Sequence, residues 1–168
     1  MVSCLAGDGE IWQEDQLRIK ARIDLVQGVA PHAQQAVLLD QANKPAAEVQ
    51  TLEERLSAMG LAVHWLPVVE LENLWLEPAV VEVVLKALAN AAHERGHPVV
   101  VPQIETITED LAGNAPLPKG SDILKAICSK VPLRFDKKIA AEAAVGCIQE
   151  LAPAKARRLK TAVESAFG

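Results

Sequence analysis

The order of apolar and polar positions predicts a mixed α/β chain. Residues 37–39 are a compact apolar run, typical of a strand buried on both faces of a parallel sheet. Residues 45–59 repeat apolar side chains at helical spacing, which predicts an amphipathic helix that ends before Gly60. Residues 61–66 form a second apolar run. The order strand, helix, strand predicts a βαβ unit with parallel strands and a right-handed crossover.

Other elements are predicted on both sides of this unit. Strands are expected at residues 2–6 and 23–26, and residues 99–102 are either a strand or an extended linker. The helices are expected at 14–22, 78–95, 121–131, 136–151 and 153–167, with Ser121 and Asp136 as N-caps and a loop at 111–120. The predicted fold is α/β: a small, mainly parallel sheet of three to four strands flanked by helices.

Composition narrows the class of protein. Half of the 168 residues are apolar and 23% are charged, as in globular domains. With three Trp, two Phe and no Tyr, the chain has too few rings for a base-stacking surface. Its three widely spaced cysteines argue against a disulfide framework and a structural zinc site. No signal peptide and no run of 18 apolar residues are found, so we expect a cytoplasmic protein without membrane contact.

The net charge of −5 is unevenly distributed. Residues 1–118 contain 7 Lys and Arg against 17 Asp and Glu, whereas residues 119–168 contain 10 against 5. The composition predicts an α/β core at 1–118 and a helical C-terminal extension at 119–168, packed on it within one domain. The basic extension either approaches phosphate groups or presents solvated helix faces.

Asp40 follows the first predicted strand in the sequence AVLLDQANK. Ligands of open α/β sheets bind beyond the carboxyl ends of the strands, so a carboxylate here faces the crevice in which a metal ion or substrate binds. Aspartate also begins turns and caps helices. Both roles are open for Asp40.

Glu70 and Glu72 follow the second strand in the sequence VVELENLWLEP. Residues two apart in extended chain share one face, so these carboxylates are predicted to converge with Asp40 if the strands are neighbours. Oxygen ligands of this kind suit Mg²⁺ or Mn²⁺, which assist phosphodiester cleavage. The alternative is structural: Glu72 and Asn73 hydrogen-bond the backbone where the strand leads into a helix.

These motifs carry a resemblance to a known family. Residues 37–81 resemble the second half of a Toprim domain, and more narrowly the Toprim-like domains attached to AAA/ABC-type ATPases of the overcoming-lysogenization-defect (OLD) nuclease group. That group has an apolar strand with an acidic motif, a helix, a strand, and a Glu-x-Glu-Asn segment followed by proline, which LPVVELENLWLEP fits. LPKGSDILKAI and PLRFDKKIA are similar to its lysine-glycine and aromatic-x-lysine segments, so the likeness covers residues 36–140.

The resemblance implies a metal-dependent nuclease site. In it, Asp40, Glu70 and Glu72 would ligate Mg²⁺ or Mn²⁺. Asp40 and Glu72 would take part in catalysis, and Lys138, or Lys137 beside it, would contact a phosphate group. Lysine can do so as a point charge on a flexible stem. The alternative for Lys138 is an exposed residue in the first turn of a helix.

The chain departs from the family pattern at two places. The Toprim acidic motif is Asp-x-Asp, whereas this chain reads Asp40-Gln41-Ala42 and lacks the second carboxylate. The family also has a glutamate, usually followed by glycine, just after its first strand. The corresponding LAGDGE offers Asp8 or Glu10 instead. Such departures are expected of a relative that keeps the scaffold and has lost cleavage.

Two functions are therefore predicted as alternatives. The first is a Toprim-type nuclease or nuclease-like domain that acts on DNA or RNA phosphodiesters. The second is a non-catalytic protein-interaction module of a bacterial conflict or defence system, whose partner is an ATPase or another protein. The complete Glu-x-Glu-Asn segment favours the first, and the missing second aspartate favours the second.

Overall fold

The computed structural model describes residues 16–40, 43–115, 117 and 119–167. These residues form a helix-rich mixed α/β fold with one small parallel sheet. Its elements are, in chain order, α1 (Gln16–Val29), β1 (Ala36–Leu39), α2 (Ala46–Ala58), β2 (Ala62–Trp65), a 3₁₀ helix (Leu71–Trp75), α3 (Pro78–Glu94), α4 (Ile104–Gly113), α5 (Gly120–Lys130), α6 (Lys137–Leu151) and α7 (Pro153–Phe167).

The predicted βαβ unit is confirmed. Strands β1 and β2 are parallel, with Leu39 opposite Trp65, and α2 connects them. Pro45 precedes the first residue of α2, where its fixed φ favours a helix start. Gly60 follows with a φ of +85°, a left-handed conformation that glycine adopts without strain. The carboxyl ends of the two strands lie at the same edge of the sheet, directly before Asp40 and Leu66.

The prediction of a strand at residues 23–26 is wrong, because these residues lie in α1. A short apolar run does not distinguish strand from helix. Ile19 and Ile23, one helical turn apart, are buried, whereas Leu25 is exposed. The strand predicted at residues 2–6 lies outside the described residues.

Residues 99–102 belong to no helix or strand, in agreement with the linker alternative. The described sheet therefore has two strands rather than the predicted three to four.

The helices of the second half mostly match their predicted positions. Asp136 is confirmed as the N-cap of α6, since its carboxylate accepts hydrogen bonds from the backbone of Lys138 and Ile139 at 3.0 and 3.2 Å. The N-cap predicted for α5 is wrong, because Lys119 occupies that position and Ser121 lies inside the helix. Helix α4 was not predicted, and it includes the start of the loop expected at 111–120.

The chain divides into two compact units. The first contains the described residues up to Leu39, together with Lys44–Trp65 and the chain from Val163 onward. The second contains Asp40, Asn43 and Leu66–Ala162 among the described residues. In the first, Ile19 and Ile23 of α1 pack with buried leucines of α2. The division at residues 118 and 119 stays a prediction.

The second unit has the larger core, built around α3. That helix contributes Val80, Val81, Val84, Leu85, Leu88 and Ala89, all buried. Trp75, at the end of the 3₁₀ helix, packs in the same core with 1% of its surface exposed. Each fully buried side chain of this size stabilises the fold by about 1.5–3 kcal/mol. The 3₁₀ helix that carries the acidic segment is thereby held by its own Leu74 and Trp75.

Candidate functional site

The Glu-x-Glu-Asn segment builds the start of the 3₁₀ helix. Glu70 is the N-cap, with extended backbone at φ −139° and ψ 154°. Its N–H donates to Asn73 Oδ1 at 2.9 Å, and the N–H of Asn73 donates to the carbonyl of Glu70 at 3.0 Å. The first bond satisfies an N–H that a helix start otherwise leaves unpaired, and the second is the first backbone bond of the 3₁₀ helix. The alternative to metal binding was that Glu72 and Asn73 hydrogen-bond the backbone at the helix start. Asn73 has this structural role, but its partner in it is Glu70 and not Glu72.

The side chain of Glu70 binds the N-terminus of α5. Its Oε2 accepts hydrogen bonds from the backbone N–H of Ser121 at 3.1 Å and from the Ser121 hydroxyl at 2.6 Å. Lys119 Nζ lies 3.9 Å from Oε1. A carboxylate at a helix N-terminus satisfies unpaired N–H groups and interacts favourably with the helix dipole. We therefore assign Glu70 to the junction between the 3₁₀ helix and α5.

Gly120 allows the two helices to approach at this junction. Its N–H donates to Asn73 Oδ1 at 3.3 Å. A Cβ at this position would lie 2.5 Å from the carbonyl carbon of Glu72 and 2.9 Å from its oxygen. Because those atoms belong to the backbone, no side chain fits at residue 120. Glycine is required here by close approach and not by its φ.

Glu72 has a different environment. None of its surface is exposed, and its Oε1 lies 2.8 Å from Nζ of Lys137, the first residue of α6. Lys137 is the one cation that contacts Glu72, and no other group of the described residues donates to its oxygens. A buried carboxylate is costly unless it is paired, so Lys137 is the group that offsets this cost.

Asp40 lies within electrostatic reach of these charges. Burial raises the pKa of Asp40, Lys137 lowers it, and the negative charges of Glu70 and Glu72 raise it further, with a net increase. A hydrogen bond from the backbone of Leu71 opposes the increase. The charges of Glu70 and Glu72 thus act on Asp40, and all three residues belong to the second unit.

Lys137 is the positive charge in this neighbourhood. Burial lowers the pKa of Lys137, but the contact with Glu72 and the charges of Glu72, Asp40 and Glu70 outweigh it, so the net pKa is raised. Lys137 therefore stays protonated at neutral pH. Lys138, the lysine chosen from the sequence, is exposed next to it, and its backbone N–H is capped by Asp136.

Sequence reasoning assigned no role to Gly120 and assigned Ser121 only as an N-cap, so their contacts with the 3₁₀ helix were missed. Both lie in LPKGSDILKAI, which had been matched to the lysine-glycine segment of the OLD group. The signal was present as a glycine directly after a lysine at a helix start. Its partner, Glu70, is 51 positions away from Ser121, a separation that no local pattern reveals.

Among the described residues, no group of three or more His, Cys, Asp or Glu side chains is arranged to hold a metal ion. Mg²⁺ in phosphate-processing sites binds through one or two carboxylates, with water and substrate phosphates as the other ligands. Asp40 and Glu72 are carboxylates that interact electrostatically, so their oxygens have the donor chemistry that Mg²⁺ and Mn²⁺ take.

Comparisons with protein-family models, curated proteins and solved structures return no match to this chain. Across the described residues, every helix is too short or too polar to cross a membrane.

Proposed function

We propose that the second unit carries a Toprim-type acidic site that acts on nucleic-acid phosphodiesters with Mg²⁺ or Mn²⁺. The observation that carries this proposal is the carboxylate of Glu72, which is fully buried and is contacted by a single cation, Lys137, within the described residues. Asp40 lies near enough for the charge of Glu72 to raise its pKa. A buried carboxylate with one cation partner, coupled electrostatically to a second carboxylate, has oxygens that a divalent cation can use as ligands.

Each residue has a distinct role in this proposal. Asp40 and Glu72 supply oxygen ligands, and a bound divalent ion stabilises the attacking and leaving oxygens of a phosphodiester. Glu70 was grouped with these ligands from the sequence, but its bonds to Ser121 favour a positioning role through the 3₁₀ helix. Lys138 is exposed and directly follows Lys137 in the chain, and it is the candidate contact for a phosphate oxygen.

The Toprim-like assignment itself belongs to the proposal. It is supported by the parallel β1–α2–β2 unit, after whose strands the acidic segments come. It is also supported by the contact between the Glu-x-Glu-Asn segment and the lysine-glycine segment. These are two of the motifs by which the chain resembles the OLD group, and they meet in space.

Calorimetric titration with MgCl₂ and MnCl₂ tests the site directly. We expect the full chain to bind metal with millimolar or tighter affinity, and Asp40→Asn and Glu72→Gln to abolish the heat. Glu82→Gln is the matched control, because Glu82 also pairs with a lysine, Lys86 at 2.6 Å, but on the surface of α3. It should bind metal like the unmodified chain. Thermal unfolding of each variant shows whether the loss of metal binding is confined to the site or follows from a loss of the fold.

Cleavage of plasmid DNA, single-stranded DNA and RNA in the same buffers tests the reaction. We expect metal-dependent cleavage of at least one substrate, lost in Asp40→Asn and kept in Glu82→Gln. If neither metal gives heat and no substrate is cleaved, the nuclease proposal is wrong.

A second function is favoured by one specific observation. The oxygens of Glu70 and Asn73 are engaged within the fold, and Glu72 is neutralised by Lys137. All three could therefore be structural in a chain that has lost the second aspartate of the family motif. The chain would then be a non-catalytic interaction module, whose partner is an ATPase subunit or another protein. An absence of metal binding and of cleavage is the result that this second function predicts.

A further inference from the structure

Lys137 reaches the acidic group from solvent. About two thirds of its side chain is exposed, whereas its Nζ lies 2.8 Å from a carboxylate that has no exposed surface. The stem of this lysine therefore contributes little packing, and its ammonium group makes the contact. A flexible stem that carries a point charge can leave such a contact by rotation about its own bonds.

The ammonium group of Lys137 faces several negative charges. Asp40, Glu70 and Glu72 all act on it electrostatically. Lys119 Nζ lies 3.9 Å from Glu70 Oε1 and is the only other cation that contacts one of these carboxylates among the described residues. Lys137 is therefore the one cation in contact with Glu72 in the part of the chain that the structure describes.

The carboxylate of Glu72 has further lone pairs beside this ion pair. An ionised carboxylate has about four lone-pair positions, and a lysine ammonium at one oxygen fills one of them. Apart from Lys137, no group of the described residues donates to the oxygens of Glu72. A divalent cation with oxygen ligands would compensate two carboxylates at once, which a single ammonium group 2.8 Å from one of them does less well.

We infer that the Lys137 ammonium is an internal counter-ion, which occupies the cation position at Glu72 and has to leave before a divalent metal ion binds there. This inference rests on the proposed function and concerns the regulation of the same site. It makes metal binding a competition between a tethered ammonium group and a free cation. Removal of the ammonium group should then strengthen metal binding, whereas a lysine that only orders the site would weaken binding when removed.

Calorimetry with MnCl₂ on the full chain and on Lys137→Met tests the competition. We expect Lys137→Met to bind Mn²⁺ at least about tenfold more tightly, because a unit charge within about 4 Å opposes a second cation. Lys86→Met is the matched control, since Lys86 has a similarly exposed side chain, 59% against 66%, and an ion pair of 2.6 Å. It should bind Mn²⁺ like the unmodified chain.

The outcomes separate this inference from the proposed function. If the unmodified chain binds Mn²⁺ and Lys137→Met binds no more tightly, the inference is wrong and the metal site remains. If only Lys137→Met binds, the inference holds and the native chain is closed to metal, which favours the non-catalytic function. If neither chain binds, both ideas fail.

A measurement on the unmodified chain covers the case in which Lys137→Met does not fold. Labelling with an amine-reactive ester, read by mass spectrometry, reports the accessibility of each lysine. We expect saturating Mn²⁺ to increase the labelling of Lys137 and to leave Lys86 unchanged. Metal binding without any change at Lys137 would contradict displacement of its ammonium group.

Discussion

The carboxylates of Glu70 and Glu72, on two sides of the 3₁₀ helix, have opposite environments. On one side, the Glu70 carboxylate accepts two hydrogen bonds from Ser121, and Asn73 binds Gly120. On the other side, the Glu72 carboxylate is more deeply buried and has only an ion pair with Lys137. The first side is a saturated structural junction. On the second side, the carboxylate oxygens of Glu72 can still bind a cation. We therefore place the candidate site on that side.

The geometry of the chain explains the difference. Glu70 is extended, but Glu72 already lies in the 3₁₀ helix. Such a helix has three residues per turn, so each residue is rotated by about 120° from the one before. The shared face predicted for an extended chain is therefore lost, and the two carboxylates meet different helices, α5 and α6.

The largest expected effect comes from adding a side chain at residue 120, where the 3₁₀ helix meets α5. Gly120→Ala places a Cβ 2.5 Å from the Glu72 backbone, so we expect the free energy of unfolding to fall by about 3 kcal/mol, the upper range for overpacking. Gly146→Ala is the matched control. Residue 146 lies in α6 with open space around its Cα, and alanine should raise stability by about 0.5 kcal/mol. Urea denaturation measures both, and equal stability of the two variants would refute the close approach.

A smaller effect on stability is expected on the side of Glu72 and Lys137. Lys137→Met leaves the buried Glu72 without its counter-ion, and we expect a loss of about 2 kcal/mol, below the 3–5 kcal/mol typical of fully buried pairs because Lys137 is largely exposed. The double variant Glu72→Gln/Lys137→Met should recover most of this loss, since the buried charge is removed too. Urea denaturation of both single variants and the double variant completes the cycle. A double variant as unstable as Lys137→Met alone would show that charge is not the cause.

The smallest effect is the pH dependence from Asp40. Because its pKa is raised by folding, chiefly through burial, the folded protein holds this proton more tightly than the unfolded chain. The contribution of Asp40 to stability is therefore largest at low pH and is lost as the pH rises from the ordinary pKa of aspartate through the raised one. Asp40→Asn should show a flatter stability curve in this window. Urea denaturation at a series of pH values compares the two chains, and parallel curves would contradict the raised pKa.

The regular elements could be predicted well from local patterns, with exceptions that have physical causes. The amphipathic repeat and the Pro45 and Gly60 boundaries predicted α2 within one residue at each end. Residues 23–26, Ile-Asp-Leu-Val, were assigned wrongly because a segment this short with three apolar residues fits both strand and helix. Ser121 was assigned as an N-cap by residue type, whereas its hydroxyl bonds Glu70 instead. A tertiary partner competed with the local one and determined its role.

The acidic residues of the site could be named from the sequence, but their roles could not. Asp40 was chosen because it directly follows β1, and Glu72 because it lies in the segment after β2. Parallel strands end at the same edge of a sheet. Lys137 was considered only beside Lys138, since two adjacent lysines in a first helical turn look equivalent. The direction of a side chain at a helix start depends on how that helix is packed, which local patterns do not specify.

By itself, the sequence determined the parallel βαβ unit, the positions of most helices and the acidic residues that follow the strands, because these depend on periodicity and on turn residues close in the chain. Only the tertiary structure decided that Ser121 binds Glu70 across 51 positions and that Lys137 pairs with Glu72. The physical reason is that these contacts depend on the packing of separate helices around the core of the second unit. Packing joins residues according to shape and burial, and their separation along the chain has no part in it.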